Sequence, residues 1–172
     1  DTSDVVFKDG ILQTLRGGPA VIAHTWWGLT YDHKKNVMLF MNTWVTDQKT
    51  AVEDLGEDPE QLYRGTPLWS FDPEQRKWQP IITAEPYPRA PFGGMLEYIE
   101  DLGYSIWHTN NWQMQKTWSY HTGDQNPWVS LKPNDATADF TTQAPKPEQV
   151  AYVDNQRKIV VAQRQNETFH YD

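Results

Sequence analysis

The stretch Thr66-Pro67-Leu68-Trp69-Ser70-Phe71-Asp72-Pro73-Glu74-Gln75-Arg76-Lys77-Trp78 decides how this chain is read, because it recurs. Its counterpart is Thr117-Trp118-Ser119-Tyr120-His121, followed by a turn to Pro127-Trp128. Trp69 and Trp118 stand 49 residues apart, and Trp78 and Trp128 stand 50 apart. A third copy opens at Thr168-Phe169-His170-Tyr171-Asp172, with Phe169 lying 51 residues after Trp118. Each copy is an aromatic-bearing β-rich run with a polar turn, and in the two complete copies a second Trp opens the next run. Self-similarity at a fixed period signals a repeat architecture.

Working outward, a second unit precedes each copy. Leu29-Thr30-Tyr31-Asp32, the turn His33-Lys34-Lys35-Asn36 and Val37-Met38-Leu39-Phe40 have the same spacing as Ala151-Tyr152-Val153-Asp154, Asn155-Gln156-Arg157-Lys158 and Ile159-Val160-Val161-Ala162. Tyr98-Ile99-Glu100-Asp101-Leu102-Gly103 before Tyr104-Ser105-Ile106-Trp107 is a third version with a different turn. These patterns predict β-hairpins. No window of about 11 residues sustains helical apolar spacing. The chain therefore reads as all-β, with helical turns expected only near Thr50 to Leu55 or Asp58 to Leu62, where Asp58-Pro59-Glu60 has a helix-start composition.

Joined, the two units make a four-strand antiparallel module of about 50 residues, the period and content of a β-propeller blade. The order strand, Asp-bearing turn, apolar strand, loop, then Trp69-Ser70-Phe71-Asp72-Pro73 and Trp78 resembles a kelch repeat of the galactose-oxidase type of propeller. The resemblance covers residues 20–172 and is best in 66–78. It departs from the family pattern in one respect: no Gly-Gly doublet follows Phe40, Trp107 or Ala162. The resemblance implies the following division. Residues 1–20 form a hairpin, Val5-Val6-Phe7-Lys8 and Ile11 to Leu15 about a type I′ Asp9-Gly10 turn, able to serve as an edge strand. Residues 21–90 form a first blade with an acidic insertion at 45–65, residues 91–145 a second, and residues 146–172 the first three strands of a third. Propellers typically have about four to eight blades. The expectation is therefore an incomplete ring, completed by another chain or by further residues, with the last sheet gaining a fourth strand from Val5 to Leu15, another chain or residues beyond these. Opening on Asp1 suits an excerpt or a processed chain.

Composition narrows the function. A formal charge of -8 over 172 residues argues against nucleic acid and anionic membranes, which reward clustered Lys and Arg, and the densest cluster is His33-Lys34-Lys35. No apolar run approaches the roughly 20 residues of a membrane-spanning helix. With no cysteine, disulfides, Cys-ligated zinc and the Cys–Tyr cofactor of galactose oxidase are outside this chain's chemistry. His24, His33, His108, His121 and His170 have no pair at ligand spacing, so neither metal nor cofactor is expected. No Asp-box, Gly-x-Ser-x-Gly, phosphate-loop or dinucleotide pattern is present.

Nine Trp, eight Tyr and six Phe on a chain of mean hydropathy -0.76 suit packed sheets, and beyond that a sugar- or peptide-gripping face. Trp26 and Trp107 read as filling between adjacent sheets, whereas Trp27, Trp44 and Trp112 are open candidates. The insertion Val45 to Gly65 has about 21 residues where the second module uses the seven of Asn110 to Lys116. It carries Asp47, Glu53, Asp54, Glu57, Asp58 and Glu60 against Lys49 and Arg64. In a propeller this loop, Asn110 to Lys116 and Pro86 to Phe92 emerge on one face, and long loops on rigid scaffolds are where recognition concentrates. The expected contact residues are Trp44, Tyr63, Arg64, Arg89, Asn111 and Trp112, with no catalytic residue among them. The expected function is a non-catalytic binding or scaffolding module for a protein or glycan. The alternative is part of a carbohydrate oxidase or glycosidase whose catalytic residues lie outside this chain. The sequon Asn166-Glu167-Thr168 and the Trp-rich acidic composition point to an extracellular or periplasmic location.

Overall fold

Three of the turns are set by an aspartate at a strand end. The Oδ1 of Asp32 accepts the backbone N–H groups of Lys34 and Lys35 at 3.0 Å each. Asp72 accepts those of Glu74 and Gln75 at 2.8 and 2.9 Å, and Asp154 those of Gln156 and Arg157 at 3.0 Å each. One carboxylate satisfies two N–H groups that a tight reversal leaves unpaired, which is why aspartate recurs at this position. The fourth turn residue swings to positive φ, as at Asn36 (φ 57), Arg76 (φ 53) and Gly103 (φ 70).

The computed structural model describes residues 2–20, 27–42, 48–89, 94–111, 114–131, 150–154, 156–157, 159–164 and 167–171. Its strands are β1 (Val5–Lys8), β2 (Ile11–Thr14), β3 (Leu29–Asp32), β4 (Val37–Met41), β5 (Leu68–Asp72), β6 (Lys77–Ile81), β7 (Met95–Ile99), β8 (Tyr104–Asn111), β9 (Met114–Tyr120), β10 (Trp128–Ser130), β11 (Val150–Asp154), β12 (Ile159–Arg164) and β13 (Glu167–Tyr171). The first sheet, β3-β4-β5-β6, and the second, β7-β8-β9-β10, are four-stranded, and the third, β11-β12-β13, has three strands. All pairings within them are antiparallel. The chain is all-β apart from a short helix α1 (Gln48–Asp54) and short 3-10 turns among the described residues.

The sequence period is a structural period. Trp69, Trp118 and Phe169 each lie in the third strand of their sheet, opposite Phe40, Trp107 and Ala162 of the second strand. Trp78 and Trp128 lie in the fourth strands, opposite Phe71 and Tyr120. Pro80 sits on β6, an outermost strand of its sheet, where a missing N–H breaks no ladder bond. One position departs from the repeat. Where the first and third sheets have Asp32 and Asp154, opposite Val37 and Ile159, the second has Ile99 opposite Tyr104.

Side chains alternate between the two faces of each sheet, and both faces are used. Leu39, Met41 and Leu68 of the first sheet bury against Leu96, Trp107, Trp118, Tyr120 and Trp128 of the second. The second sheet turns Met95, Ile99 and Ile106 the other way, onto Val153 of the third. The first strands lie side by side: the N–H of Leu96 donates to the carbonyl of Trp27 at 2.8 Å in a parallel bridge beside Met95, and the N–H of Tyr98 donates to Thr30 Oγ1 at 3.0 Å. At the far side of the interface Thr122 Oγ1 donates to Oδ2 of the buried Asp32 at 2.6 Å.

Two expectations are corrected. The N-terminal hairpin has its type I′ turn, with Asp9 at φ 54 and Gly10 at φ 77, yet among the described residues it adds no strand to the third sheet and forms a two-stranded sheet of its own. Its apolar side chains send it elsewhere: Leu12 buries with Ala20 and with Val52 of α1, and Ile11 with Phe40 and Trp69 of the first sheet. The stretch Asn110 to Lys116 is not a seven-residue loop, because β8 and β9 continue pairing through Asn111 and Met114. Backbone pairing runs on past the last apolar residue, so a polar composition marked the wrong boundary. The insertion holds helical turns at both expected places, α1 and Pro59–Gln61, the latter capped by Asp58, whose carboxylate accepts the N–H of Glu60 at 3.0 Å.

Candidate functional site

Antiparallel order brings the exits of β4, β6 and β8 and the entries of β5, β7 and β9 to one end of the first two sheets. There the insertion is closed at its base by the N–H of Asn42 on the carbonyl of Pro67 at 2.9 Å. Its exit is tied to the segment after β6 by the N–H of Thr66 on the carbonyl of Pro88 at 2.9 Å. These bonds hold Tyr63 and Tyr87 with ring centroids 4.9 Å apart. The phenol of Tyr63 lies 3.3 Å from Thr83 Oγ1. Burial pushes its pKa up, against the lowering pull of that hydrogen bond. Gly65 makes the ring's position possible, since a Cβ there would stand 2.6 Å from Tyr63 Cζ. The guanidinium of Arg89 lies 5.4 Å from the Tyr87 ring centroid, a cation–π arrangement, and pairs with Glu85.

Of the expected residues, Tyr63 and Arg89 come together through Tyr87. Arg64 stands exposed beside them, 3.9 Å from Glu60, whose other oxygen takes Lys49 Nζ at 3.2 Å. Asn111 ends β8 opposite Met114, at the same end of the sheets. Trp44 and Trp112 lie outside the described residues. Sequence reasoning missed Tyr87, Thr83 and Glu85, which sit in a proline-punctuated segment with no period to mark them. The one available signal was an aromatic and an arginine set between prolines in Pro86-Tyr87-Pro88-Arg89.

At the inner edge of the same end, Trp27 is 39% exposed, and its indole N–H donates to Glu97 Oε1 at 2.7 Å. Burial pushes the Glu97 carboxyl up to about 7, with the indole bond pulling the other way. Trp107, by contrast, is wholly buried between the first two sheets, as its filling role requires. Trp26 lies outside the described residues. A groove of about 560 Å³ opens between the first sheet and the turn after β9, with Val37, Ile81, Tyr120 and Pro127 apolar and Lys35 and Asp124 charged. It shares no residue with the expected set.

Among the described residues no three His, Cys, Asp or Glu side chains gather as metal ligands. His121 Nε2 is 2.9 Å from Ser119 Oγ, and His108 Nδ1 is 2.9 Å from Thr117 Oγ1, so both imidazoles serve strand neighbours. The site thus offers aromatic faces, a guanidinium and carboxylates, tied at its base to the sheets. Compared with protein-family models, with curated proteins and with solved structures, the chain gives no match in any of the three.

Proposed function

We propose that this chain is a binding or scaffolding module made of kelch-like propeller blades, and that it recognises a protein or a glycan at the Tyr63–Arg89 end of its sheets. Support for the blades comes from three repeated antiparallel sheets stacked face to face with their first strands adjacent and, at the first two, parallel. Support for recognition comes from one observation above all: the Tyr63–Tyr87–Arg89 array is fixed to the sheets by the Thr66–Pro88 bond rather than left on a free loop. Preorganised aromatic and arginine side chains are the usual anchors of interfaces, because little entropy is lost on binding. Aromatic rings beside carboxylates also suit the faces and hydroxyls of sugars, and the exposed indole of Trp27 next to Glu97 extends that surface inward. The acidic insertion favours neutral or cationic partners. An extracellular or periplasmic location accords with this reading.

The test is a titration against neutral and amino-sugar oligosaccharides and Lys-rich peptides. The double substitution Tyr87→Ala with Arg89→Ala is expected to weaken the tightest interaction about tenfold or more. Lys34→Ala with Glu74→Ala, at the opposite end, should leave it unchanged. If the two pairs behave the other way round, recognition lies at the turn end and the reading is wrong.

A further inference from the structure

Asn42 is the first polar residue after the apolar run of β4, at the mouth of the insertion, and is 4% exposed. Its backbone N–H donates to the carbonyl of Pro67, and its Nδ2 donates to the carbonyl of Ala20 at 3.3 Å. A carbonyl oxygen only accepts, so Ala20 fixes which way the amide is turned. Oδ1 of Asn42 is thereby a buried acceptor, and it has no hydrogen-bond partner among the described residues. Trp69, in β5, is wholly buried. Its indole N–H can only donate, and it too lacks a partner among the described residues.

Both side chains line one cavity. It lies where the hairpin, the first sheet and the insertion meet, walled by Ile11 and Leu12 of β2, Gln48 of α1, Asn42, Pro67 and Trp69. Its volume is about 10 Å³, and no atom of the chain fills it. A single water needs roughly 10–15 Å³ of such space, together with polar groups to bond. An apolar cavity of that size stays dry, whereas one that exposes a donor and an acceptor is where buried water is held.

The chemistry of the walls selects the occupant. Oδ1 of Asn42 calls for a donor and the Trp69 indole for an acceptor, and water is both. A cation could meet Oδ1 but would face the indole proton, and none of these wall residues is a carboxylate to balance it. An anion could meet the indole but would face Oδ1. The amide of Gln48 offers a third group of either sense, matching the roughly three hydrogen bonds of a typical buried water.

We propose that one structural water occupies this cavity, accepting from the Trp69 indole N–H and donating to Asn42 Oδ1, with the Gln48 amide as its third partner. It joins β5, the end of β4 and the start of α1 at a place otherwise held by apolar contacts. Those are Leu12 with Ala20 and Val52 on one side, and Ile11 with Phe40 and Trp69 on the other. The water site does not depend on recognition of any partner at the Tyr63–Arg89 end.

A high-resolution crystal structure of the unaltered chain, paired with nuclear magnetic resonance in solution, tests this. One density peak is expected within about 2.7–3.2 Å of both Asn42 Oδ1 and Trp69 Nε1. It should gain no anomalous signal when sodium is replaced by rubidium. In rotating-frame spectra the Trp69 indole proton should show a cross-peak to water with the sign of a long-lived contact, and Trp69→Phe should lose that cross-peak with the indole. Should Trp69→Phe fail to fold, the indole is assigned by its contacts with Ile11 and Phe40. A cavity without density, an indole bonded directly to a protein acceptor, or a peak that rubidium replaces overturns the proposal.

Discussion

At the scale of single residues, two positions carry costs that substitution should reveal. Arg76 and Gly103 each hold the fourth place of a four-residue turn, between β5 and β6 and between β7 and β8, at φ 53 and φ 70. An L side chain there costs about 1–2 kcal/mol, partly offset for glycine by the larger entropy it loses on folding. Arg76→Gly should therefore raise stability by up to about 1 kcal/mol, and Gly103→Ala should lower it by up to about 1 kcal/mol, both read from urea midpoints. Glu97 is the second case. Its folded pKa of about 7 lies above the ordinary 4.5, so between these values the folded state binds more protons than the unfolded one. The sign follows: stability from this site is greatest below about pH 4.5 and is lost as pH rises through about 7. Glu97→Gln keeps an acceptor for the Trp27 indole and removes the charge. It should stabilise the protein at pH 8 by about 1–3 kcal/mol, after allowance for the group's partial exposure, and leave stability at pH 4 nearly unchanged. Equal effects at the two pH values would show that Glu97 is not the titrating group.

At the scale of elements, identical turn chemistry has different weight according to what lies beyond the turn. Asp32 and Asp72 both accept two backbone N–H groups. Only Asp32 is buried and also takes the Thr122 hydroxyl from the second sheet. Asp72→Ala should cost about 1 kcal/mol, the net worth of a solvent-exposed turn, while Asp32→Ala should cost about 3 kcal/mol because three donors, two in its own turn and one at Thr122, lose a buried acceptor. A double-mutant cycle with Thr122→Val should return a coupling of about 1 kcal/mol for Asp32 and none for Asp72. The carboxylate also acts on neighbours: burial first, and then the charges of Asp32 and Asp124, push the Tyr120 phenol upward. Ile99 shows the same logic inverted. At the position of Asp32 and Asp154 in the other sheets, the second sheet buries an apolar residue with Met95 and Ile106, and its turn relies on the positive φ of Gly103.

At the scale of the whole molecule, the sheets and their order were legible in the sequence because the aromatic repeat marks the same strand position in each sheet. Trp69, Trp118 and Phe169 recur at spacings of 49 and 51 residues because each lies in the third strand of its sheet, and period-two alternation with Asp-bearing turns sufficed to bound most strands. Strand ends that stay paired through polar residues, as at Asn110 and Gln115, left no such mark, since backbone hydrogen bonds do not depend on side-chain hydrophobicity. The destination of the hairpin was likewise hidden. Its type I′ turn is local chemistry, written in Asp9-Gly10, but whether β1-β2 joins a sheet or covers one depends on which apolar surface lies within reach. The candidate site divides in the same way. Tyr63 and Arg89 were visible as side chains on loops, whereas Tyr87, which unites them, and Glu97, which meets Trp27, owe their roles to partners distant in sequence. Local pattern thus determined the elements and their repetition, because dihedral preference and alternation act over a few residues. Only tertiary structure decided what the hairpin covers and which aspartate bridges two sheets, because those depend on surfaces that exist only after the sheets have stacked.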